Sequence, residues 1–119
     1  VKHLYGNNKD HESVLGYSAD RMASALCTPI LRLADVYLVY VAAKVLLGQV
    51  DTECLRVFNA VHQRAVPSDA PCGELDFEKV WKERRLELAL EGDRWYDFVR
   101  LAYYNPTKAM NEIKPQKRN

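Results

Sequence analysis

The sequence lacks the motifs by which enzymes and metal proteins are usually identified. It contains no C-x-x-C pair, no Glu-x-x-His motif, no glycine-rich phosphate loop and no serine or cysteine in a nucleophile elbow. The single histidine within a helical pattern, His62, is interpreted as a surface or interface residue rather than a general base. The sequence therefore predicts no enzyme activity, no catalytic residue, no metal site and no cofactor.

Cysteines are few, and they are widely spaced. The three, Cys27, Cys54 and Cys72, form no metal-binding or redox motif, so we expect free, partly buried thiols. A disulfide that involves Cys27 or Cys72 stays open for an oxidising compartment. The cysteines therefore do not define the compartment.

Neither a charge excess nor a long apolar run is present. Seventeen basic residues oppose sixteen acidic ones, for a net charge of +1, which argues against a dedicated binder of nucleic acid or anionic membranes. In the most apolar segment the longest uncharged run, residues 36–43, is far shorter than the roughly 18–20 residues that span a bilayer. The chain begins without Met, signal peptide or lipobox, so we expect a processed chain or a piece of a longer one.

Helical periodicity, in contrast, is strong. The first helix is predicted to begin at the capping pair Thr28 and Pro29 and to end at Gly48. It is apolar on nearly every side, which predicts the central core helix of the domain. The second helix begins at Asp51, and the short connection predicts antiparallel packing of the two helices.

A loop with two prolines separates these helices from a third, which is predicted to start near Asp76. Gly92 interrupts it, and Asp93 is a candidate cap for a further segment that ends near Tyr103, where Asn105-Pro106 stops the helix. No segment alternates like a strand, so the fold class is all-α. We predict an irregular segment over residues 1–28, a helical domain over 29–103 and a polar, basic, frayed tail over 104–119.

The stretch "ERRLELALEGDRWYDFVR" combines charges with an apolar stripe. On a helix that starts at Phe77 the stripe contains Trp81 and Trp95, which we expect in the core rather than stacked on sugar, and it contains Arg84. Burial of an unpaired arginine costs several kcal/mol. We therefore expect Arg84 to be buried against a carboxylate, with Glu87 as the local candidate and Asp35 as the distant one.

Three glutamates in this stretch follow each other at intervals of four residues, so they would repel on a helix. Cations from other elements are expected to neutralise them, with Arg32, Arg64 and Arg94 as candidates. The sequence thus predicts an ion-pair network that holds the helices together. Its expected members are Arg32, Asp35, Glu83, Arg84, Glu87, Glu91, Arg94 and Asp97.

Three blocks resemble one family. "ILRLADVYLVYVAA" looks like its R-L-A-D-V-Y-L-M-Y-A-E-A helix, and "FNAVHQRA" is similar to its L-N-x-V-R-x-R-A helix. "ERRLELALEGDRWYDFVR" resembles its E-R-R-x-E-L-A-F-E-G-x-R-W-x-D-L-V-R signature. This is the SusD/RagB family of outer-membrane nutrient-binding lipoproteins of Bacteroidetes-type bacteria, and the resemblance covers about residues 25–102.

The resemblance implies an α-α superhelix with tetratricopeptide-like hairpins. Members are several times longer, so this chain would be a C-terminal-side fragment without the lipid anchor, which is the family's only attachment to the membrane. Members bind oligosaccharides or other nutrients at the cell surface and pass them to a SusC-like TonB-dependent transporter; they are not enzymes. The ligand-binding residues vary, so they stay unknown here. For the residues that match the family's motifs, the resemblance implies only a structural role in the scaffold. These residues are Arg32, Asp35, Glu83, Arg84, Glu87, Arg94 and Asp97.

Two departures from the family pattern fall on the first hairpin. The family's glutamate in Y-A-E-A is Ala42 here, and its first arginine in V-R-x-R-A is His62. If those two residues pair across the hairpin in relatives, losing both avoids an orphaned buried charge. Two further departures, Leu90 for phenylalanine and Leu101 for the closing tryptophan, are conservative.

Two other functions compete with nutrient binding. A helix-turn-helix DNA-binding domain is suggested by the polar residues of the second helix, and a generic helical-repeat protein-interaction module fits the periodicity. The near-zero net charge and the long apolar first helix argue against the DNA reading. The candidate base-reading residues are Arg56, Asn59, His62, Gln63 and Arg64.

Overall fold

The computed structural model of the chain describes residues 30–116 and places five helices there. They are α1 (Leu33–Leu46), α2 (Thr52–Ala65), α3 (Phe77–Glu87), α4 (Arg94–Tyr104) and α5 (Pro106–Ile113). No strand occurs within residues 30–116, and the all-α prediction is confirmed. Helix α1 packs against α2 and α3, and α4 packs against α5.

The connection between α1 and α2 forms a short helical hairpin. Gly48 has φ +65°, a left-handed conformation that glycine adopts without steric cost and that commonly ends helices. Its amide donates back to the carbonyl of Val45 at 3.1 Å. Asp51 then caps α2, because its side chain accepts a hydrogen bond from the amide of Cys54 at 2.8 Å.

Helix α3 joins two apolar cores. Val80 is buried in the first core and Trp81 in the second. The other buried residues of the first core are Leu38, Val41, Cys54, Val57, Phe58 and Val61. The other buried residues of the second core are Phe98, Leu101 and Ala109. Because adjacent residues of α3 serve different cores, this helix fixes α1 and α2 relative to α4 and α5.

The structure corrects two expectations for α1. The helix begins at Leu33 rather than at Pro29, and residues 30–32 are not helical. It is also not buried on every side, because α2 and α3 cover only one face, where Leu38 and Val41 are inaccessible to solvent. The large apolar residues of α1 that are exposed are Leu33, Val36, Val39, Tyr40 and Leu46.

The expectation of a frayed tail over residues 104–119 is corrected for residues 106–113, which form α5. Asn105 accepts a hydrogen bond from the amide of Lys108 at 3.0 Å, and Pro106 occupies the first turn, where its missing N–H has no consequence. Ala109 and Ile113, one turn apart, pack against the second core. Asn105-Pro106 therefore ends one helix and starts the next.

Trp95 corrects a further expectation, since it is 65% exposed while Trp81 is 8% exposed. The prediction that Trp95 lies in the core holds only if α3 and α4 form one continuous helix. The chain instead turns between α3 and α4, where Leu90 has φ +68° and Gly92 has φ +90°. This turn changes the helical phase, so α4 buries Phe98 and Leu101 instead.

Some expectations fall outside the described residues. These are the irregular segment at residues 1–28, the cap formed by Thr28 and Pro29, and Cys27. Within the described range, Cys54 is buried, Cys72 is partly exposed, and both are free thiols.

We expect Asn105→Ala to lower the free energy of unfolding by about 1 kcal/mol, since it removes the cap of α5. Asn111→Ala is the matched control, because Asn111 is exposed within the same helix and alanine has the higher helix propensity. Urea denaturation followed by circular dichroism measures both. Equal effects of the two substitutions would contradict the assignment of Asn105 as a cap.

Candidate functional site

One buried arginine connects three helices. Arg84 of α3 is 5% exposed, and its Nε donates to Asp97 Oδ1 of α4 at 2.9 Å. Its Nη1 lies 2.9 Å from Asp35 Oδ1 of α1, and Arg100 Nη2 donates to Asp97 Oδ1 at 2.6 Å. We call Asp35, Arg84, Asp97 and Arg100 the Arg84 cluster.

The hydrogen bonding of the Arg84 cluster is incomplete. Arg84 Nη1 and Nη2 lie within ion-pair distance of carboxylate oxygens, but neither makes a hydrogen bond of good geometry. Asp35 Oδ1 and Asp97 Oδ2 are likewise buried without a hydrogen-bond partner. Two donors and two acceptors thus stay unsatisfied at the centre of the described fold.

A second cluster surrounds Glu87, whose side chain is 2% exposed. Arg32 Nη1 contacts Glu87 Oε1 at 2.5 Å, and its Nε contacts Glu91 Oε2 at 2.7 Å. Arg64 Nη2 reaches Glu87 Oε1 at 2.6 Å. Arg32 Nη2 also donates to the backbone carbonyl of Glu87 at 2.6 Å, which satisfies a carbonyl at the end of α3. We call Arg32, Arg64, Glu87 and Glu91 the Glu87 cluster.

The partners of the two clusters differ in part from those expected. Arg84 is buried against Asp35, as the sequence analysis expected, and its second carboxylate is Asp97. Glu87, the expected local partner, contacts Arg32 and Arg64 instead. Cations from other elements do reach the glutamates of this stretch.

His62 bridges α2 to α3 and to the following loop. Its Nδ1 lies 2.9 Å from Glu83 Oε2, and its Nε2 lies 3.2 Å from Asp69 Oδ2. The ring of Phe58 stacks beside it, with the centroids 6.0 Å apart. The hydrogen bond with Glu83, supported by Asp69, raises the pKa of His62 above its ordinary value. Ala42, the other departure from the family pattern on this hairpin, packs against the first core.

Arg94 lies outside both clusters. Its guanidinium stacks 3.7 Å from the ring centroid of Trp81 and 4.7 Å from that of Phe98. Burial lowers the pKa of Arg94. Glu112 of α5 accepts a hydrogen bond from Trp81 Nε1 at 2.9 Å and contacts Arg94 at 3.4 Å. Glu112 is not among the residues predicted from the sequence, because the sequence predicts a frayed tail after Asn105.

The polar residues of α2 are occupied by contacts within the chain. The Asn59 amide binds both the N–H and the carbonyl of Cys72, at 2.7 and 3.0 Å. Arg56 forms a forked ion pair with Glu53 at 2.5 and 2.7 Å. Gln63 donates a hydrogen bond to the backbone carbonyl of Asp69 in the α2–α3 loop at 3.1 Å. The other two candidate residues, His62 and Arg64, contact Glu83 and Glu87 as described above. This arrangement counts against a helix that reads DNA bases.

One cavity adjoins the Arg84 cluster. It has a volume of about 90 Å³ and lies between the end of α1, the start of α3 and the middle of α4. We call it the Ala42 cavity. It is lined by Ala42, Leu46, Phe77, Val80, Trp81, Arg84, Asp97, Arg100, Leu101 and Tyr104.

Neither a metal-binding cluster nor a membrane-spanning helix occurs among the described residues. Residues 30–116 contain no cluster of histidine, cysteine, aspartate and glutamate that could hold a metal ion. No helix in this part of the chain is both long enough and apolar enough to cross a membrane. The buried charges of the two clusters face one another across contacts between helices.

Comparison with known proteins gives two matches. The model of the SusD family matches residues 5–119. A curated "SusD-like protein" of Bacteroides ovatus is 40% identical over 100 residues, which cover 81% of this chain and 18% of that protein. The chain therefore spans less than a fifth of that relative's length. No solved structure shows a significant match.

We expect Arg84→Ala to destabilise the fold by about 3–5 kcal/mol, because it removes the cation that lies against Asp35 and leaves buried Asp97 with only the exposed Arg100. Arg85→Ala is the matched control, since Arg85 is exposed on the same helix. Arg84→Lys should restore only part of the stability, because an ammonium group cannot make the forked contact. Equal, small shifts of the melting temperature for the two alanine variants would contradict the burial argument.

We expect the ion pairs of His62 with Glu83 and Asp69 to stabilise the fold at low pH and not at high pH. The folded-state pKa of His62 is raised, so its contribution is complete below the unfolded pKa of about 6.5 and is lost as the pH rises through the folded pKa. Wild type should therefore exceed His62→Gln in stability at about pH 5.5 and approach it at about pH 8.5.

His62→Arg is the control for this pH dependence, because it stays charged throughout the range. Denaturation of the three proteins at each pH measures the differences, and groups common to all three cancel in the comparison. A difference between wild type and His62→Gln that does not change with pH would refute this role of His62.

Proposed function

The chain belongs to the SusD family, and we propose that it supplies part of the helical scaffold of a nutrient-binding protein at the bacterial outer membrane. The family is one of non-catalytic binding proteins. In this proposal the chain takes part in holding a glycan or another nutrient and in delivering it to a SusC-like TonB-dependent transporter. Attachment at the cell surface through a lipid anchor is inferred from the family alone.

The observation that carries the scaffold role is the burial of the charges of the family-like motifs. Arg84, Glu87 and Asp97 are each less than a tenth exposed, and their ionic groups meet other side chains of the same chain. Groups in such contacts are not available to a ligand without breaking the ion pairs. These motif residues therefore support the positioning of helices rather than direct binding of a nutrient.

A protein-interaction role is the second candidate, and the surface of α4 favours it. Trp95 is 65% exposed, Tyr96 is 62% exposed and Tyr103 is 90% exposed. Large aromatic side chains are enriched at protein interfaces. The two candidates are compatible if this surface contacts another part of a SusD-like protein or its transporter.

We expect a tagged protein that contains this sequence to co-purify with a TonB-dependent β-barrel transporter from detergent-solubilised outer membranes, and to bind glycans on an array without turnover. Arg85→Ala is the control variant, since its exposed site lies outside both ion-pair clusters. It should retain the transporter and the glycan signal.

Two results would contradict the proposal. One is retention on heparin at moderate salt without any glycan binding, which would favour the nucleic-acid alternative. The other is hydrolysis of a polysaccharide by the pure protein that a single aspartate or glutamate substitution abolishes.

A further inference from the structure

We propose that α1 is the contact surface between two copies of this chain, which pack antiparallel along the exposed apolar face of this helix. The face consists of Leu33, Val36, Val39, Tyr40, Ala43 and Leu46, and we call it the α1 strip. The inference is independent of the proposed function, because self-association requires neither a nutrient nor a transporter.

The α1 strip is an uninterrupted apolar surface on one side of the helix. With about 3.6 residues per turn, its six positions fall within an arc of about 140°, opposite the side that packs against α2 and α3. The charged residues of α1 are Asp35 and Lys44, and both lie outside the strip in ion pairs with Arg84 and Asp51. A helix face that only meets water normally carries polar side chains, so this composition indicates a contact surface.

The spacing of the α1 strip favours a second copy of the chain as its occupant. Successive members are separated by three, three, one, three and three positions, which reads the same from either end of the helix. A copy that runs antiparallel about the midpoint of α1 therefore places strip on strip along the whole helix. Val36 then lies opposite Ala43 of the second copy, and Val39 and Tyr40 each lie beside their own counterparts. A twofold interface needs a self-complementary surface of this kind.

The side chains of the α1 strip also suit close packing of two helices. Val36, Val39, Ala43 and Leu46 follow each other at intervals of three, four and three, which is the spacing of the apolar seam between paired helices. The small side chain of Ala43 leaves room for the branched side chain of Val36 from the second copy. The axes of the two helices can therefore approach to the usual distance of about 8–10 Å.

The charges beside the α1 strip do not oppose this arrangement. Lys44 lies at the edge of the strip, because its Nζ is 5.9 Å from the ring centroid of Tyr40, and it pairs with Asp51 at 2.8 Å. In the antiparallel dimer the two Lys44 residues are about 14 Å apart along the helix axis. This separation exceeds the Debye length of about 8 Å at physiological ionic strength, so their repulsion is small.

The length of α1 limits the strength of the contact. The helix has 14 residues, which corresponds to about 21 Å. A stable interface buries about 800 Å² on each partner, and one face of a helix of this length offers less. We therefore expect a weak, reversible dimer that is populated at high protein concentration rather than an obligate one.

Sedimentation equilibrium of the full chain tests the self-association. We expect the apparent mass to rise with concentration from the 13.7 kDa of one chain toward twice that value. Val39→Glu and Val39→Lys should each weaken the dimer at least about tenfold, because two like charges then face each other across the twofold axis. An equimolar mixture of the two variants should recover most of the association, since the glutamate of one copy then faces the lysine of the other.

Val99→Glu is the matched control, because Val99 is 39% exposed and Val39 is 47% exposed, but Val99 lies on α4. It should leave the dimer unchanged, and circular dichroism melts verify that all variants fold. Equal weakening by Val39→Glu and Val99→Glu, or no recovery in the mixture, would overturn the proposal. A wild-type chain that stays monomeric at every soluble concentration would also overturn it and would assign the α1 strip to a different partner.

Disulfide trapping with copper–phenanthroline tests the antiparallel orientation. The background is Cys27→Ser/Cys72→Ser, in which the remaining native thiol, Cys54, is buried. A mixture of Val36→Cys and Ala43→Cys should give a cross-linked dimer, because the two positions lie opposite each other and a disulfide needs Cα atoms within about 7 Å. Ala43→Cys alone should not, since its two copies are about 10 Å apart along the helix axis. Efficient cross-linking of Ala43→Cys alone would show a parallel pair and overturn the proposed arrangement.

Discussion

The described part of the fold depends on the burial of one guanidinium. Arg84 lies in the last turn of α3, and the carboxylates that neutralise it come from α1 and α4. An arginine that is 5% exposed would destabilise the fold by several kcal/mol without such partners. The ion pairs therefore fix the position of three helices at once, in addition to the apolar contacts that α3 makes on both sides.

Much of this arrangement is visible in the sequence, because it follows from local rules. The caps Asp51 and Asp76 and the break at Gly92 are decided by neighbours in the chain. The burial of Arg84 follows from its place between apolar residues at helical spacing. The pairing with Asp35 could be anticipated as a long-range contact, because few other acidic residues lie on apolar helices.

Other features depend on information that periodicity does not contain. Trp95 is exposed because the turn after α3 shifts the helical phase, and the size of that shift is set by the conformation of Leu90 and Gly92. Helix α5 is stabilised by contacts with the second core rather than by its own propensity. Its residue Glu112, which contacts Trp81 and Arg94, can only be predicted as a partner if Asn105-Pro106 is taken as a helix start as well as a helix stop.

A double-mutant cycle measures whether Arg84 and Asp97, whose charged groups lie 2.9 Å apart, stabilise the fold as one unit. The cycle compares the unfolding free energies of wild type, Arg84→Met, Asp97→Leu and the double variant. We expect the double variant to be more stable than the sum of the single effects implies, by about 1–3 kcal/mol, since it leaves no orphaned charge of this pair. Additivity within about 0.5 kcal/mol would contradict it.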